Sequence, residues 1–327
     1  MKVLITGGGG FLGYRLAQAL LKKGALPDAA GAQEAIAQIT LFDMAFPENV
    51  DARLKCVKGE LNDKAAIETT LGGDTDAVFH LASVVSGGAE ADFDLGMRVN
   101  LDGTRGLLDV CRKQPRPPRF IFTSSLAVFG GELPDVLDDG TAPNPQNSYG
   151  AQKVCCEYLI GDYSRKGFID GRVVRLPTIS VRPGKPNLAA SSFASGIIRE
   201  PLNGVAAICP VGRDSAMWLL SPAKAIEALI HAYELPSSAW GTKRVLNVPG
   251  VTAVIGEMID TLRRIAGDKV ADLIQMQADP RVEAIVLSWP ARFVTERALK
   301  LGFTGDQDAE SLIRGYIEDQ GIKVGRT

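Results

Sequence analysis

The sequence has few of the residues that bind transition metals or form disulfide frameworks. Its 327 residues include two histidines and five cysteines, and no two cysteines stand in a Cys-x-x-Cys spacing. These counts argue against a metal-ligand cluster or a dithiol redox motif. We therefore expect the cysteines to be reduced residues that fill space in the core.

Long apolar stretches and an excess of charge are also lacking. The chain has no run of about 18 consecutive apolar residues, which a membrane-spanning helix would need. It begins directly with a short apolar strand, without the pattern of a secretory leader, and its formal net charge is −2. We expect a soluble, cytoplasmic protein that binds neither membranes nor nucleic acid.

Glycine, in contrast, is concentrated near the N-terminus. The apolar segment Lys2–Thr6 is followed at once by four glycines, Gly7 to Gly10, and then by a helical pattern that ends at Gly24. Strand, glycine turn and helix in this order are typical of a dinucleotide site, where the pyrophosphate meets the helix N-terminus. Gly7 and Gly10 would let the backbone approach the pyrophosphate, and Gly13 would allow the helix to pack closely on the strand.

A second apolar strand ends at Asp43, where a carboxylate can accept hydrogen bonds from the adenosine ribose. A carboxylate there would repel a 2′-phosphate, so we expect NAD in preference to NADP, which stays possible. Residues 25–35, before this strand, are predicted to be a loose surface insertion. After the third strand, Asp63 either faces the adenine or caps the next helix, and the sequence leaves both possibilities open.

The candidate catalytic residues lie between Arg119 and Lys153. An apolar, aromatic run ends at Ser124 and Ser125, which predicts a buried strand that delivers a hydroxyl to the carboxyl edge of a parallel sheet. Tyr149 and Lys153 follow, four residues apart on one face of a predicted helix. Free tyrosine is too weak an acid to be a base at neutral pH, but a neighbouring ammonium favours the phenolate. The three residues could orient an alcohol and remove its proton.

The alternation of strands and helices predicts an α/β fold, a Rossmann-type doubly wound parallel sheet with a smaller, mostly helical C-terminal substrate lobe. The dinucleotide-binding domain would span residues 1–176 and be rejoined by 221–248. Residues 177–220 and 249–327 would form the lobe. Prolines from Pro177 onward predict an irregular segment over the site. His80, inside an apolar strand, is expected to be a core histidine.

Several of these motifs fall in the order found in one family. Thr6-Gly-x-x-Gly-x-x-Gly13, Asp43, His80-Leu-Ala, Asn100-x-x-Gly-Thr104, Ser124-Ser125 and Tyr149-x-x-x-Lys153 resemble the extended short-chain dehydrogenase/reductase family over about residues 1–180. The resemblance implies NAD binding and a catalytic triad of Ser125, Tyr149 and Lys153. The residues then expected at the cofactor are Gly7, Gly10, Phe11, Leu12, Gly13, Asp43, Leu61, Asp63, Leu81, Ala82, Asn100, Tyr149, Lys153 and Pro177.

Within that family the chain looks most like dehydrogenases that oxidise C2 of the four-carbon sugar acid D-erythronate to the 2-oxo acid. That likeness rests on stretches around the expected pocket, including Phe129-Gly-Gly-Glu-Leu-Pro and Arg182-Pro-Gly-Lys-Pro-Asn187. The residues expected to contact this small-molecule substrate are Ser83, Ser86, Ser125, Tyr149, Thr178, Arg182 and Asn187.

Two other functions stay open. The first is an NAD-dependent nucleotide-sugar epimerase, although such enzymes typically carry an asparagine where this chain has Thr178. The second is a cofactor-binding regulator without turnover, for which an intact Ser–Tyr–Lys set would have no use. The family resemblance also implies a homodimer, formed through the helices around residues 92–111 and 149–165.

Overall fold

A parallel sheet of seven strands forms the centre of the structure, a computed structural model that describes residues 1–184 and 189–324. The central strands are apolar and buried on both faces, as expected when helices cover both sides of a sheet. The strands are β1 (Lys2–Thr6), β2 (Ala25–Pro27), β3 (Gln33–Ala35), β4 (Gln38–Asp43), β5 (Leu54–Lys58), β6 (Ala77–His80), β7 (Arg119–Ser125), β8 (Asp170–Leu176), β9 (Thr178–Ile179), β10 (Ala207–Cys209), β11 (Ala216–Leu220), β12 (Val245–Asn247), β13 (Val251–Val254) and β14 (Ile274–Met276).

The order of the large sheet is β12-β8-β7-β6-β1-β4-β5, and all of its neighbouring strands are parallel. From β1 the chain builds outward through β4 to β5, and then returns to β6 on the other side of β1. The strand order therefore reverses between β1 and β6. Open α/β sheets bind ligands outside the carboxyl ends of their strands at such a point. The expected doubly wound sheet is confirmed.

Helices cover both faces of the sheet. The helices are α1 (Phe11–Lys23), α2 (Lys64–Leu71), α3 (Ser86–Ala91), α4 (Phe93–Gly96), α5 (Thr104–Cys111), α6 (Ser148–Arg165), α7 (Phe193–Leu202), α8 (Pro222–Glu234), α9 (Ser237–Trp240), α10 (Ile255–Ala266), α11 (Asp268–Ala271), α12 (Pro280–Val286), α13 (Glu296–Lys300) and α14 (Ala309–Asp319), and a π-helical turn (Met97–Gly103) joins α4 to α5. Val3 and Ile5 of β1 point into a core with α1 and α8, whereas Leu4 points into a core with α2, α5 and α6.

Two segments differ from the sequence prediction. Residues 25–35 form the antiparallel hairpin β2–β3 instead of a loose insertion, and Glu34 on it lies 2.8 Å from the N-terminal amine. The proline-rich part after Pro177 is also more regular than expected, because α7 buries Ile197 and Ile198 and accommodates Pro201 in its last turn. In α7, apolar burial outweighed the proline signal.

A second apolar core lies outside the sheet. Its buried residues fall between Val181 and Leu219 and between Ala253 and Tyr316. Strand β12, in contrast, extends the large sheet by pairing with β8. This distribution is compatible with a separate C-terminal lobe, but the exact division at residues 177–220 and 249–327 stays a prediction. None of the described helices has the length and apolarity required to cross a bilayer.

Candidate active site

The glycine turn after β1 brings the start of α1 to the sheet edge. Gly7 has a left-handed φ of +71°, and a Cβ atom there would lie 2.7 Å from the backbone nitrogen of Ala82. Only glycine therefore fits where β1 and β6 separate. Gly10 precedes α1 as its N-cap residue and provides no side-chain cap, and Phe11, Leu12 and Gly13 of the first turn line a cavity at the sheet edge. A helix N-terminus of this kind binds phosphate.

Asp43 lies beside this turn at the end of β4. Its carboxylate accepts hydrogen bonds from the N–H groups of Gly9, at 3.0 Å, and of Met44, at 2.7 Å. The carboxylate is thus held against the glycine turn, at the position where Rossmann-type folds contact the adenosine ribose.

Ser125 is the last residue of β7, and Tyr149 lies in the first turn of α6. Asn147 caps α6 by accepting a hydrogen bond from the N–H of Gly150, at 2.8 Å. A Cβ atom at Gly150 would lie 2.1 Å from the carbonyl oxygen of Ala127, so this glycine allows α6 to approach the end of β7 closely. The two hydroxyl-bearing residues, Ser125 and Tyr149, line one cavity.

Lys153 lies one turn beyond Tyr149 and is 2% exposed. Its Nζ donates a hydrogen bond to the carbonyl oxygen of Thr123, at 2.9 Å, and lies 5.4 Å from the centroid of the Tyr149 ring. The Lys153 ammonium is thus buried beside the Tyr149 ring. The structure therefore brings together Ser125, Tyr149 and Lys153.

His80 lies behind this group and is completely buried. The Thr104 hydroxyl donates to the Asn100 carbonyl at 2.6 Å, so its oxygen accepts from Nε2–H of His80 at 2.8 Å. Nδ1 then accepts from the Thr6 hydroxyl at 2.6 Å. Burial, together with the charge of Lys153, lowers the pKa of His80 to about 3. His80 is a neutral core residue, as the sequence predicts.

A cavity of about 360 Å³ opens at this edge of the sheet. Of the residues expected at the cofactor, those that line it are Gly7, Gly10, Phe11, Leu12, Gly13, Leu81, Tyr149, Lys153 and Pro177. Of those expected at the substrate, Ser83, Ser86, Ser125, Tyr149, Thr178 and Arg182 line it, and Asn187 lies outside the described residues.

Four residues expected at the cofactor have other neighbours. Asp63 caps α2 by accepting from the N–H of Ala66, at 3.0 Å, which is the second of its two predicted roles. Leu61 is buried in the core beneath β4 and β6. Ala82 is packed against the same core. Asn100 is buried behind the cavity, where it bonds both backbone groups of Val84 and the side chain of Gln152.

The far wall of the cavity carries Arg182. The Arg182 N–H donates to Ser195 Oγ at 3.0 Å, and Arg199 donates to the Arg182 carbonyl at 2.7 Å. Ser195 and Arg199 are one turn apart on α7 and nearly fully buried. Burial and the nearby charge of Arg199 lower the pKa of Arg182. Arg199 itself is paired with Glu200 at 2.6 Å, so the cation at this wall of the cavity is the half-buried Arg182, which suits an anionic ligand.

Sequence reasoning missed part of the lining. Trp289, from the segment after α12, reaches the same cavity, and its indole nitrogen is buried without a hydrogen-bond partner. More than a hundred residues separate Trp289 from Thr178, so no local pattern connects them. The other missed residues are Val85, Thr123, Ser124, Leu126, Ala127, Leu176, Ile179, Ala189 and Ser191.

Comparison with known proteins relates the whole chain to one group. Residues 3–233 match the model of the NAD dependent epimerase/dehydratase family. D-erythronate dehydrogenase of Cupriavidus necator is 56% identical over 323 residues, which cover 98% of this chain and 99% of that protein. D-erythronate dehydrogenase of Haemophilus influenzae is 45% identical over 320 residues, which cover 97% and 99%.

A solved structure is similar over the same length. The crystal structure of the nucleoside-diphosphate-sugar epimerase from Agrobacterium tumefaciens matches with a TM-score of 0.92 and 40% identity. The match covers 99% of this chain and 96% of that one.

Proposed function

Because the chain belongs to the NAD-dependent epimerase/dehydratase family, we propose that it is an NAD-dependent dehydrogenase of a CH–OH group. Its proposed substrate is D-erythronate, whose C2 hydroxyl is oxidised to give the 2-oxo acid. The observation that carries this proposal is the end-to-end likeness to two D-erythronate dehydrogenases. A likeness over the full length includes the cavity wall beyond Pro177, where substrate contacts are expected.

The cavity fits the cofactor. The uncapped N-terminus of α1 and the close approach at Gly7 suit a pyrophosphate, and Asp43 suits the adenosine ribose. We propose NAD in preference to NADP, since the Asp43 carboxylate would repel a 2′-phosphate. When bound, the nicotinamide supplies the acceptor for the hydride that leaves C2.

The residues around the reacting oxygen have distinct roles in the proposal. The Ser125 oxygen accepts from the N–H of Ala127 at 3.1 Å, so its own hydroxyl hydrogen can point to the substrate oxygen. Tyr149, as phenolate, removes the proton from the C2 hydroxyl. Lys153 keeps Tyr149 in that form and, with the donors not used by Thr123, holds the nicotinamide ribose.

The substrate carboxylate is assigned to Arg182. Its guanidinium group lies in the cavity wall, and Ser83, Ser86 and Thr178 supply hydroxyls from the same cavity. In this proposal two neighbouring groups of the substrate are held, the C2 hydroxyl at Ser125 and the C1 carboxylate at Arg182. Contacts on both sides of the C1–C2 bond position C2 for hydride transfer to the cofactor.

A nucleotide-sugar epimerase is the second candidate, and the match to the Agrobacterium structure favours it. The two functions differ in net reaction, because an epimerase regenerates its cofactor and a dehydrogenase accumulates reduced cofactor. Purified protein should be mixed with NAD and each of a panel of four- to six-carbon aldonic acids, with NADP in a parallel series.

The proposal expects reduced cofactor to accumulate with D-erythronate and NAD. Reactions without acid, and with the corresponding neutral polyol, are the controls. Conversion of a nucleotide sugar without net cofactor reduction, together with no reaction on any acid, would replace the dehydrogenase by the epimerase.

A further inference from the structure

Helix α6 carries a buried carboxylate, that of Glu157, which the proposed function does not use. Glu157 is 4% exposed and lies four residues after Lys153 and eight after Tyr149, so the three side chains follow one face of the helix. That face meets the ends of β7 and β8.

The Glu157 carboxylate bonds to both strands. The Ser124 hydroxyl donates to Oε1 at 2.6 Å. Arg175 donates from Nε to Oε1 at 2.9 Å and from Nη2 to Oε2 at 2.6 Å. Ser124 directly precedes Ser125, and Arg175 is followed by Leu176 and Pro177 of the cavity wall. The carboxylate thus connects the helix that carries Tyr149 with the strand that carries Ser125.

The geometry of this group is directional. A two-point guanidinium–carboxylate pair fixes both position and orientation, which apolar packing does not. The Arg175 guanidinium also lies 4.9 Å from the centroid of the Phe129 ring and donates to Asn247 of β12 at 3.4 Å. Buried ion pairs contribute little net stability in general. We therefore explain this pair by the fixed orientation that it gives the two side chains.

A second hydrogen bond between α6 and β7 lies one turn closer to Tyr149, where Lys153 donates to the Thr123 carbonyl. Two such contacts between one helix and one strand define the register of the helix along the strand. We propose that Glu157, held by Ser124 and Arg175, is a positioning residue that sets the separation of the Tyr149 and Ser125 oxygens. The rate readout below rests on the proposed dehydrogenase function.

The test uses Ser124→Ala in the full-length protein, because a change at Glu157 would leave Arg175 buried and unpaired and the chain could fail to fold. Ser124→Thr keeps a hydroxyl and is the rescue variant. Tyr163→Phe is the matched control, since it removes a 2.8 Å hydrogen bond that the same helix makes to Asp109, away from the cavity. The measurements are kcat, KM, NADH affinity and thermal midpoint.

Positioning predicts that Ser124→Ala lowers kcat about tenfold while KM and NADH affinity change less than about twofold. Ser124→Thr should restore most of kcat, and Tyr163→Phe should keep it. A kcat of Ser124→Ala within twofold of the wild type would overturn the proposal. So would a rise in KM alone, which would make Ser124 a substrate contact instead.

A structural readout separates this proposal from the proposed function. In crystals of the NADH complexes, the Tyr149–Ser125 oxygen separation should widen by about 0.5 Å or more in Ser124→Ala and return in Ser124→Thr. If the wild type is inactive but Ser124→Ala still shows this widening, the dehydrogenase assignment is contradicted and the positioning role is not. An unchanged separation would overturn the positioning role, whether or not the enzyme is active.

Discussion

Tyr149 is the side chain on which the proposed chemistry depends, because it alone takes the proton of the substrate hydroxyl. Tyr149→Phe keeps the ring and removes the oxygen, so kcat should fall about 10²–10⁴-fold. NADH affinity, measured by fluorescence titration, should stay close to the wild-type value. Tyr163→Phe, on the same helix, is the control. Oxidation at a near wild-type rate by Tyr149→Phe would remove the proposed mechanism.

Arg182 should decide whether the ligand must be an acid. Arg182→Gln removes the charge, and we expect KM for D-erythronate to rise about tenfold or more, with a smaller change in kcat, because a charged hydrogen bond of about 1.5–3 kcal/mol is lost. Steady-state kinetics give both constants. Arg213→Gln, which removes an exposed pair with Asp260, should change neither. Equal effects of the two substitutions would place the carboxylate elsewhere.

His80 gives a pH dependence with a defined sign. Its pKa is about 3 in the folded protein and 6.5 as the ordinary value. Between these pH values the unfolded chain binds more protons, so the free energy of unfolding falls as pH falls. The expected loss between pH 6.5 and 4.5 is about 2–3 kcal/mol.

Urea denaturation of the wild type and of His80→Gln at several pH values measures this contribution. Other groups titrate in both proteins, so the difference between the two curves isolates His80. That difference should shrink as pH is lowered through this window. Parallel curves would show that His80 takes up its proton in the folded state as well.

At the scale of elements, the C-terminal end of α8 is held by buried arginines. Arg172 Nη1 donates to the carbonyls of Ala232, Tyr233 and Leu235, each at 2.6 Å, and Asp170 pairs with Arg172 at 2.7 Å. Cations at this end complement the helix dipole. The same carboxylate also pairs with Arg119 and Arg244. Asp170 therefore holds α8 against the amino edge of the sheet.

Asp170→Asn should lower the free energy of unfolding by about 2–4 kcal/mol, because buried guanidinium groups lose their counter-charge. The site at the opposite edge should keep its kcat. Chemical denaturation and steady-state kinetics test the two statements. Asp162→Asn breaks an exposed pair with Arg165 and should cost less than about 1 kcal/mol. A comparable loss in both variants would contradict a special role for Asp170.

At the scale of the whole molecule, the helices around residues 92–111 and 149–165 leave aromatic side chains uncovered. Phe93 is 57% exposed and Tyr158 is 71% exposed. Large exposed apolar groups of this kind are typical of interfaces. We expect a homodimer through this surface, with twice the chain mass in sedimentation equilibrium at micromolar concentration. Tyr158→Lys should shift the population to monomer, whereas a monomeric wild type would contradict the dimer.

Local patterns determined much of this protein. The glycine turn, the strand ending at Asp43, the strand ending at Ser125 and the spacing of Tyr149 and Lys153 are visible in the sequence, because each depends on neighbours within one element. The start of α8 also depends on near neighbours, since Ser221 accepts from the N–H of Lys224 at 3.2 Å.

Tertiary structure decided what local patterns cannot encode. Helix α7 forms despite its proline because its apolar face is covered, and the hairpin at 25–35 forms against the rest of the fold. Trp289 lines the cavity although more than a hundred residues separate it from Thr178. Glu157 bonds to Ser124 and Arg175, which lie on two different strands. The sequence alone could place the reacting groups on their elements. The distances between them depend on burial and on long-range contacts, which exist only once the chain is folded.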